Sequence, residues 1–295
     1  MSKCLVTGHK GYIGSRLYKK LQDMGHEVLG IDLEDELSGD LIKELAEIDG
    51  IFQDKYRHFK PDYVFHLACK PRVAYSVIDP VGTMYNNVMS TTVLLNYARK
   101  MNVKRVIYSD SSSVVGDGTG PNSPYGLQKL VSELECKLYS KLYKLDTVSL
   151  RYFNVYSPCQ TADDVYATAI CNWMQHIREG HVPYITGTGE QRRDMVHVED
   201  VISANIFCME REDNFNGSAF DVGTGDNMSL NEVKDIILEY FPNMEFEYIE
   251  ERVGDVMHTR AKTKPLSDIG WSTDISISKG IHQCYSELKK ELNKK

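Results

Sequence analysis

The sequence predicts an α/β protein with a doubly wound parallel sheet and a smaller C-terminal α/β lobe. In the first half of the chain, short β-branched runs alternate with longer amphipathic segments. This alternation is typical of a parallel sheet whose strands are joined by right-handed helical crossovers. After Arg151 the alternation loosens, and short strands and glycine-rich turns join the helices. A chain of 295 residues is long enough for one large domain with a smaller lobe.

The predicted elements follow from hydrophobic periodicity. Short apolar runs predict buried parallel strands at Lys3–Thr7, Glu27–Ile31, Tyr63–His66, Arg105–Ser109 and Thr147–Arg151. Amphipathic stretches predict helices over Ile13–Met24, Tyr85–Met101, Tyr125–Tyr143, Tyr166–Glu179, Asn231–Tyr240 and Ser278–Leu292. Together they predict a sheet whose ligands bind at the carboxyl ends of the strands.

A glycine-rich turn follows the first predicted strand. Gly8, Gly11 and Gly14 lie between that strand and a predicted helix, the context in which glycines admit a dinucleotide pyrophosphate to the helix N-terminus. Asp32 follows the second strand, where a carboxylate accepts hydrogen bonds from both ribose hydroxyls and repels a 2′-phosphate, so NAD is favoured over NADP. The alternative is a tight turn with a surface aspartate. We assign residues 1–155 to a Rossmann-type NAD-binding domain, with 196–225 returning to it, and 156–195 and 226–295 to a substrate-binding lobe.

Composition and charge limit the partners and the compartment. A net charge of −8 argues against a nucleic-acid surface. No apolar run approaches the length of a bilayer span, and the N-terminus shows no signal-peptide pattern. Seven scattered cysteines lack a C-x-x-C pair, and the histidines lack zinc-ligand spacing. We therefore expect a cytoplasmic protein with reduced thiols, no metal, no nucleic acid and no membrane partner.

A serine, a tyrosine and a lysine form the predicted catalytic set. Tyr-x-x-x-Lys occurs three times, at Tyr56, Tyr125 and Tyr285, but only Tyr125–Lys129 has a serine, Ser111, just after a preceding strand. We expect the other two matches to be surface helix residues. A phenol with a pKa near 10 is a poor base at neutral pH, and a lysine ammonium one helical turn away favours the phenolate. Tyr125 can then take a proton from a sugar hydroxyl, while Ser111 hydrogen-bonds the same oxygen.

These features resemble the extended short-chain dehydrogenase/reductase family, and within it the UDP-glucose 4-epimerase type. The resemblance runs from Lys3 to about Trp271. Its pieces, in order, are the glycine turn, His66–Leu67–Ala68, Asn86–Asn87–Val88, the Ser/Tyr/Lys set, Arg151–Tyr152–Phe153–Asn154, Gly187 to Asp194, and Arg252 to Asp255. The combination, in this order, is far more specific than any one piece.

The resemblance implies roles for individual residues. It implies cofactor contacts for Gly8, Gly11, Tyr12, Ile13, Gly14, Asp32, Asp40, Leu41, Leu67, Ala68, Asn87, Tyr125 and Lys129, with Asp40 as the acid that contacts adenine. It implies that Ser111 and Asn154 lie beside the sugar nucleotide and that Arg193 and Arg252 bind its diphosphate, which suits the bidentate guanidinium. The alternative for the arginines is surface salt bridging.

The reaction can be narrowed within this family. Its dehydratases carry an Asp–Glu pair directly after the catalytic Ser or Thr, and Ser112 and Ser113 stand here instead, which argues against 4,6-dehydration. The sequence therefore favours NAD-dependent 4-epimerisation of a UDP-hexose through a 4-keto sugar. The alternatives are another nucleotide-sugar enzyme of the family (a decarboxylase, a dehydratase or a 4-keto reductase) and a non-catalytic NAD sensor. Thr259 matches the position where a family tyrosine excludes N-acetyl sugars, so UDP-GlcNAc and UDP-GalNAc join UDP-glucose and UDP-galactose as expected substrates; the alternative is that Thr259 only packs a strand.

The chain also departs from the family pattern at two places. The segment 117–124 is shorter than in relatives, and Asp110 stands at a position that is normally small and polar.

The resemblance also implies a homodimer. Family members often pair two helices with their copies in a four-helix bundle, here Tyr85–Met101 and Tyr125–Tyr143. Apolar side chains at helical spacing support a homodimer: Val93, Leu94, Leu130, Leu134, Leu138 and Leu142. The alternative is that these side chains face the chain's own sheet.

Overall fold

The computed structural model describes residues 1–35, 40–46, 54–71, 73–158, 168–251 and 257–294. The chain forms two compact units. Unit 1 consists of Met1–Arg151 and Ile202–Phe220, and unit 2 of Tyr152–Val201 and Asp221–Lys295. In the described ranges, no helix is long and apolar enough to cross a membrane.

Strands and helices alternate along the chain. The strands are β1 Lys3–Thr7, β2 Glu27–Ile31, β3 Tyr63–His66, β4 Arg105–Ser111, β5 Asp146–Tyr152, β6 Val155–Tyr156, β7 Tyr184–Thr186, β8 Arg192–Arg193, β9 Val196–His197, β10 Ser218–Val222, β11 Met228–Ser229 and β12 Glu247–Ile249. The α-helices are α1 Tyr12–Asp23, α2 Leu41–Glu44, α3 Asp54–Phe59, α4 Val73–Ile78, α5 Pro80–Met84, α6 Ser90–Lys100, α7 Pro124–Tyr143, α8 Ala169–Glu179, α9 Val198–Glu210, α10 Leu230–Tyr240, α11 Lys264–Ser267 and α12 Ile277–Leu292.

The central sheet has six strands in the order β10-β5-β4-β3-β1-β2. β1 pairs in parallel with both β2 and β3, and β3 pairs in parallel with β4. The chain therefore turns one way from β1 to β2 and the other way from β3 onward, so the order reverses between β1 and β3. Ligands of such sheets bind outside the carboxyl ends at this switch point. The predicted α/β class and doubly wound parallel sheet are confirmed.

Several predicted elements differ from the structure in their bounds. β4 continues two residues beyond the prediction, to Ser111, so Ser111 itself is the last residue of the strand. The helix predicted over Tyr85–Met101 begins as a five-residue π-helix, Tyr85–Met89, before α6. A single π-turn shifts the helical phase by only one residue, so periodicity does not reveal it; such turns often lie at functional sites.

Each unit has its own apolar core. In unit 1, β1 and α6 are central, with Leu5, Leu94 and Leu95 fully buried. In unit 2, α8, α10 and α12 pack together through residues such as Trp173 and Ile237. These separate cores keep the site residues of each unit on rigid elements.

The prediction that Tyr56 and Tyr285 lie on helix surfaces was wrong. Tyr56 is 1% exposed in the core of unit 1, and Tyr285 is fully buried in the core of unit 2. Lys60 and Lys289, four residues later, are exposed. Both tyrosines fill apolar cores, since their hydroxyl-bearing rings are large hydrophobic groups, so neither pair forms a tyrosine–lysine site.

Candidate active site

The glycine turn joins β1 to α1 by close backbone contact. Gly8 has φ +72°, which favours glycine, and a Cβ there would approach the backbone of Ala68 within 2.8 Å. A Cβ at Gly14 would overlap the carbonyl oxygen of Gly8. The α1 helix begins after Gly11 with no side-chain cap. A phosphate suits this uncapped N-terminus, because backbone N–H groups and the helix dipole both favour an anion.

Asp32 lies directly after β2 and faces the same turn. One carboxylate oxygen accepts the Lys10 backbone N–H at 2.9 Å, and the other accepts the Glu34 backbone N–H at 3.2 Å. Each oxygen has a second lone pair, so the carboxylate is held in place and can still accept ribose hydroxyls. The glycine turn and this acid fit the adenosine diphosphate part of NAD.

The second acid that the sequence assigns to the cofactor has a different local role. Asp40 is the N-cap of α2, where its side chain accepts the Ile42 backbone N–H at 3.1 Å. It also lies 3.4 Å from the Lys43 ammonium. Leu41 is buried, with 5% of its surface exposed. Gly39 lies outside the described residues, so the geometry of this segment is seen only from Asp40 onward.

A chain of hydrogen bonds fixes the loop after β3. The Thr91 hydroxyl donates to the Asn87 carbonyl at 2.8 Å, so its oxygen accepts from His66 Nε2, and His66 Nδ1 accepts from Thr7. Burial, reinforced by the charge of Lys129, lowers the pKa of His66 to about 3, so the ring is neutral, as this chain of bonds requires. Thr7 also accepts the Ala68 backbone N–H at 3.2 Å. The loop that carries Leu67 and Ala68 is therefore rigid.

Asn87 connects this loop to the helix that carries the tyrosine and lysine. It lies in the π-turn and is 3% exposed. Its side chain accepts the Lys70 backbone N–H at 2.7 Å and donates to Gln128 of α7 at 2.8 Å. Gln128, which lies between Tyr125 and Lys129, was not among the residues predicted from the sequence. Its spacing was the signal available, because a residue three positions after Tyr125 lies on the same face of the helix.

The buried face of α7, a helix of unit 1, is polar. Ser123 caps it by accepting the Gly126 backbone N–H at 3.1 Å, and Pro124 occupies the first turn. Tyr125 is 7% exposed and Lys129 is 3% exposed. The Lys129 ammonium donates to the Ser109 carbonyl at 2.6 Å and lies 5.9 Å from the centre of the Tyr125 ring. The structure thus brings the predicted tyrosine and lysine together.

Ser111 ends β4 beside the start of α7. A Cβ at Gly126 would lie 2.5 Å from the Ser113 carbonyl, so the helix start packs directly against the turn after Ser111. The Ser111 hydroxyl accepts the Ser113 backbone N–H and donates to the Ser113 hydroxyl, both at 3.2 Å. The Tyr125 backbone N–H donates to Ser76 at 3.0 Å, a contact that the sequence did not indicate. Serine, tyrosine and lysine therefore come from two adjacent elements of unit 1.

In unit 2, Asp194 organises the residues assigned to the substrate. Its carboxylate accepts backbone N–H groups from Thr224, Gly225 and Ala261 at 2.9 to 3.0 Å. The Asn154 side-chain amide donates to the Asp194 carbonyl at 2.6 Å. Arg193, directly before Asp194, is the last residue of β8, and β8 pairs with β11. Asn154 and Arg193 are therefore held on one framework.

Thr259 pairs with the same framework. Its backbone N–H donates to the Arg192 carbonyl at 3.1 Å, and its hydroxyl accepts the Asp194 backbone N–H at 3.1 Å. These bonds hold Thr259 against β8, opposite Arg192. Arg252 lies outside the described residues.

This chain belongs to the NAD dependent epimerase/dehydratase family, whose model matches residues 4–223. A putative UDP-glucose 4-epimerase of Methanocaldococcus jannaschii is 30% identical over 303 residues, covering 97% of this chain and 98% of the relative. The predicted family is thus confirmed. A UDP-N-acetyl-alpha-D-glucosaminuronate decarboxylase of Bacillus cytotoxicus is 29% identical over 255 residues, 78% of each chain.

Solved structures extend the likeness over the whole chain. A UDP-N-acetylglucosamine 4-epimerase from Methanobrevibacter ruminantium, in complex with UDP-N-acetylmuramic acid, has a TM-score of 0.87 at 30% identity, covering 100% of this chain and 99% of the other. A UDP-glucuronic acid 4-epimerase from Bacillus cereus, in complex with UDP-glucuronic acid and NAD, has a TM-score of 0.83 at 26% identity, covering 98% and 99%. The predicted cofactor is that of the family.

Proposed function

We propose that this protein is an NAD-dependent 4-epimerase of UDP-hexoses. The observation that carries the proposal is the buried Tyr125–Lys129 pair beside Ser111, with serines and no carboxylates in the two positions that follow. A tyrosine, a lysine and a serine in this arrangement suit reversible proton removal from an alcohol. The glycine turn and Asp32 support NAD as the cofactor, because they match the pyrophosphate and the ribose hydroxyls.

Each residue then has a chemical role. Tyr125 takes the proton of the sugar 4-hydroxyl and later returns it. Lys129, held by the Ser109 carbonyl at 2.6 Å, supplies the positive charge that favours the phenolate. Ser111 hydrogen-bonds the reacting oxygen, and Asn154, Arg193 and Arg252 bind the UDP part. The chemistry that bound NAD would supply is reversible hydride exchange with the sugar carbon.

Three other reactions compete with 4-epimerisation. A decarboxylase is supported by a relative of comparable identity. A dehydratase is disfavoured because Ser112 and Ser113 cannot serve as the acid and base of water elimination. A 4-keto reductase would consume reduced cofactor in every turnover, whereas an epimerase regenerates its own. A non-catalytic NAD sensor is less favoured because Ser111, Tyr125 and Lys129 are all present.

Product analysis distinguishes these reactions. Purified protein and NAD are incubated separately with UDP-glucose, UDP-GlcNAc and UDP-glucuronic acid, and the sugars are followed by proton NMR. We expect the galacto-configured product from at least one substrate. A pentose product would identify a decarboxylase and a 4-keto-6-deoxy product a dehydratase, and either would contradict the proposal. Absence of turnover with all three, in protein that binds NAD, would favour the sensor.

Thr259 is proposed to admit the 2-acetamido group. We expect Thr259→Tyr to reduce turnover of UDP-GlcNAc at least tenfold relative to UDP-glucose, because a bulky side chain replaces a small one, and kcat/KM for both substrates measures it. Thr259→Val is the matched control, since it stays small and loses only the hydroxyl that accepts the Asp194 N–H at 3.1 Å. Equal losses on both substrates in both variants would mean that Thr259 has only a structural role.

A homodimer is proposed from the outer face of α7. Leu134, Leu138 and Leu142 are 54%, 49% and 57% exposed, so they do not face the chain's own sheet. Leu94, by contrast, is fully buried in the core of unit 1, so its predicted place in the stripe was wrong. The buried face of α7 is polar and holds Gln128, Lys129 and Ser132, so the exposed leucines form the apolar side of the helix. An exposed apolar stripe of this kind favours pairing with another helix surface.

We expect Leu134→Glu/Leu138→Glu to convert a dimer into a monomer, because the carboxylates would be buried without partners. Light scattering across micromolar concentrations measures the mass. Val182→Glu is the control, since Val182 is 42% exposed in unit 2 and carries the same change away from α7. A wild-type monomer, or a dimer that survives the double substitution, would contradict the proposal.

A further inference from the structure

Asp110 is a buried carboxyl group that the proposed reaction does not use. It precedes Ser111 in β4, and its side chain has no exposed surface. Among the described residues, no donor forms a hydrogen bond of good geometry with either of its carboxyl oxygens, and the Ser111 backbone N–H makes only a weaker contact. A buried carboxylate without donors is strongly unfavourable, because the group loses hydration without compensation.

The group that does contact Asp110 is another carboxyl, that of Glu133 on α7. Arg151 donates to both oxygens of Glu133, at 2.7 and 2.8 Å, whereas its Nε lies 3.8 Å from Asp110. Two carboxyls in contact form a hydrogen bond only when one of them carries a proton. Since Arg151 is paired with Glu133, the proton belongs on Asp110.

The charges around Asp110 agree with this assignment. Burial and the Glu133 contact raise the pKa of Asp110 well above its ordinary value. Burial opposes ionisation of Glu133, but the hydrogen bonds from Arg151 and Asp110 outweigh it and lower the pKa of Glu133. The titratable and charged groups that interact with the pair are Lys129, Cys136 and Lys137 on α7, Arg151 on β5 and Tyr108 on β4; His66, at the end of β3, lies near Lys129. Burial raises the pKa of Cys136 and Tyr108 and lowers that of His66, so these three groups stay neutral.

We propose that Asp110 is a positioning residue that works as a neutral acid: its protonated carboxyl donates to Glu133 and keeps the charge of Lys129 available to Tyr125. Glu133 lies one helical turn after Lys129, at the spacing where a carboxylate and an ammonium attract. Arg151 and Asp110 both donate to Glu133, so the charge of Glu133 is compensated by groups other than Lys129. Lys129 donates to the Ser109 carbonyl and forms no ion pair among the described residues.

The inference rests on the proposed function for its kinetic consequence only. An ionised Asp110 would place a negative charge beside Lys129, weaken its field at Tyr125 and oppose formation of the phenolate. Because the pKa of Asp110 is raised, its proton is lost at higher pH than that of an ordinary carboxyl, and ionisation increases as pH rises. Wild-type turnover should therefore decline at alkaline pH, and a residue that cannot ionise should remove that decline.

The first test does not depend on activity. Infrared spectra of wild-type protein at neutral pH should contain the C=O stretch of a protonated carboxyl, and Asp110→Asn should lack it. Glu135→Gln is the matched control. Glu135 is a half-buried carboxyl on α7, the helix of Glu133, and burial also raises the pKa of Glu135. A band that is absent from the wild type, or that survives in Asp110→Asn and disappears in Glu135→Gln, overturns the proposal whatever the protein's substrate is.

The second test is the pH dependence of kcat with the substrate identified by NMR. Asparagine remains neutral and can donate to Glu133, so Asp110→Asn should keep wild-type turnover within about twofold on the acid side and lose the alkaline decline. If Asp110 were instead an ionised counter-ion of Lys129, its removal would move the acid limb to lower pH and raise turnover there, by tenfold for each unit of displacement. If Asp110→Asn fails to fold, Asp110→Ser, also neutral, replaces it in both measurements.

Discussion

Tyr125→Phe should reduce turnover of the nucleotide sugar by about 10²- to 10⁴-fold, the range expected when a general acid–base group is removed. Phenylalanine keeps the ring, which is 7% exposed, and the Tyr125 backbone N–H still donates to Ser76 at 3.0 Å. The glycine turn and Asp32 are untouched, so affinity for NAD should be preserved. Steady-state kinetics measures the first effect, and titration calorimetry with NAD measures the second.

Tyr143→Phe provides the control for this substitution. Tyr143 is on the same helix, and its side chain is 49% exposed at the other end of α7. It should retain wild-type turnover. Wild-type turnover in Tyr125→Phe would contradict the assignment of Tyr125 as the acid–base group. If Tyr125→Phe matched the wild type in NAD affinity and in every other measured property, the NAD sensor would be favoured.

Arg105→Met should lower the free energy of unfolding by about 3–5 kcal/mol, the cost of removing one partner from a buried ion pair. Arg105 is 4% exposed, and its Nε donates to Asp146 at 2.5 Å. Its two terminal nitrogens donate to the carbonyls of Cys208, Arg211 and Asp213 at 2.5 to 2.8 Å. Without the guanidinium, the buried Cys208 carbonyl and the buried Asp146 carboxylate lose this charged donor, and the carbonyls of Arg211 and Asp213 lose theirs. Urea unfolding measures the change.

An exposed ion pair provides the comparison. Arg57 and Asp54 lie 2.6 Å apart, but their side chains are 45% and 78% exposed, so Arg57→Met should cost less than about 1 kcal/mol. A loss below about 1 kcal/mol for Arg105→Met would mean that water or a rearranged backbone replaces the lost hydrogen bonds. The stability of unit 1 would then depend on its apolar core rather than on this network.

The sequence predicted the sheet and the catalytic set because both depend on short-range patterns. The five predicted strands correspond to β1 to β5, and the glycine turn follows β1, since strand periodicity and turn glycines are local properties. Ser111 could be predicted to lie near Tyr125, because the first ends a strand at the carboxyl edge of the sheet and the second is on the helix that follows. The choice among three Tyr-x-x-x-Lys matches needed only the order of elements.

Other features depended on long-range contacts. Tyr56 and Tyr285 looked like surface residues because a single helical turn does not reveal which face is covered. The partners of Asn87, the backbone of Lys70 and the side chain of Gln128, are 17 and 41 residues away in the chain. The roles of Ser76 and Asp194 likewise arise from backbone groups that no local pattern places near them.

Asp110 illustrates the division between sequence and structure. The sequence by itself determined the class of fold, the family, and the serine, tyrosine and lysine, because periodicity, turn chemistry and residue spacing are written along the chain. It also marked Asp110 as unusual, but it did not indicate the protonation state of that carboxyl. Only the tertiary structure decided this, because burial removes the water that would stabilise the charge and folding brings Glu133 and Arg151, 23 and 41 residues later in the chain, against it.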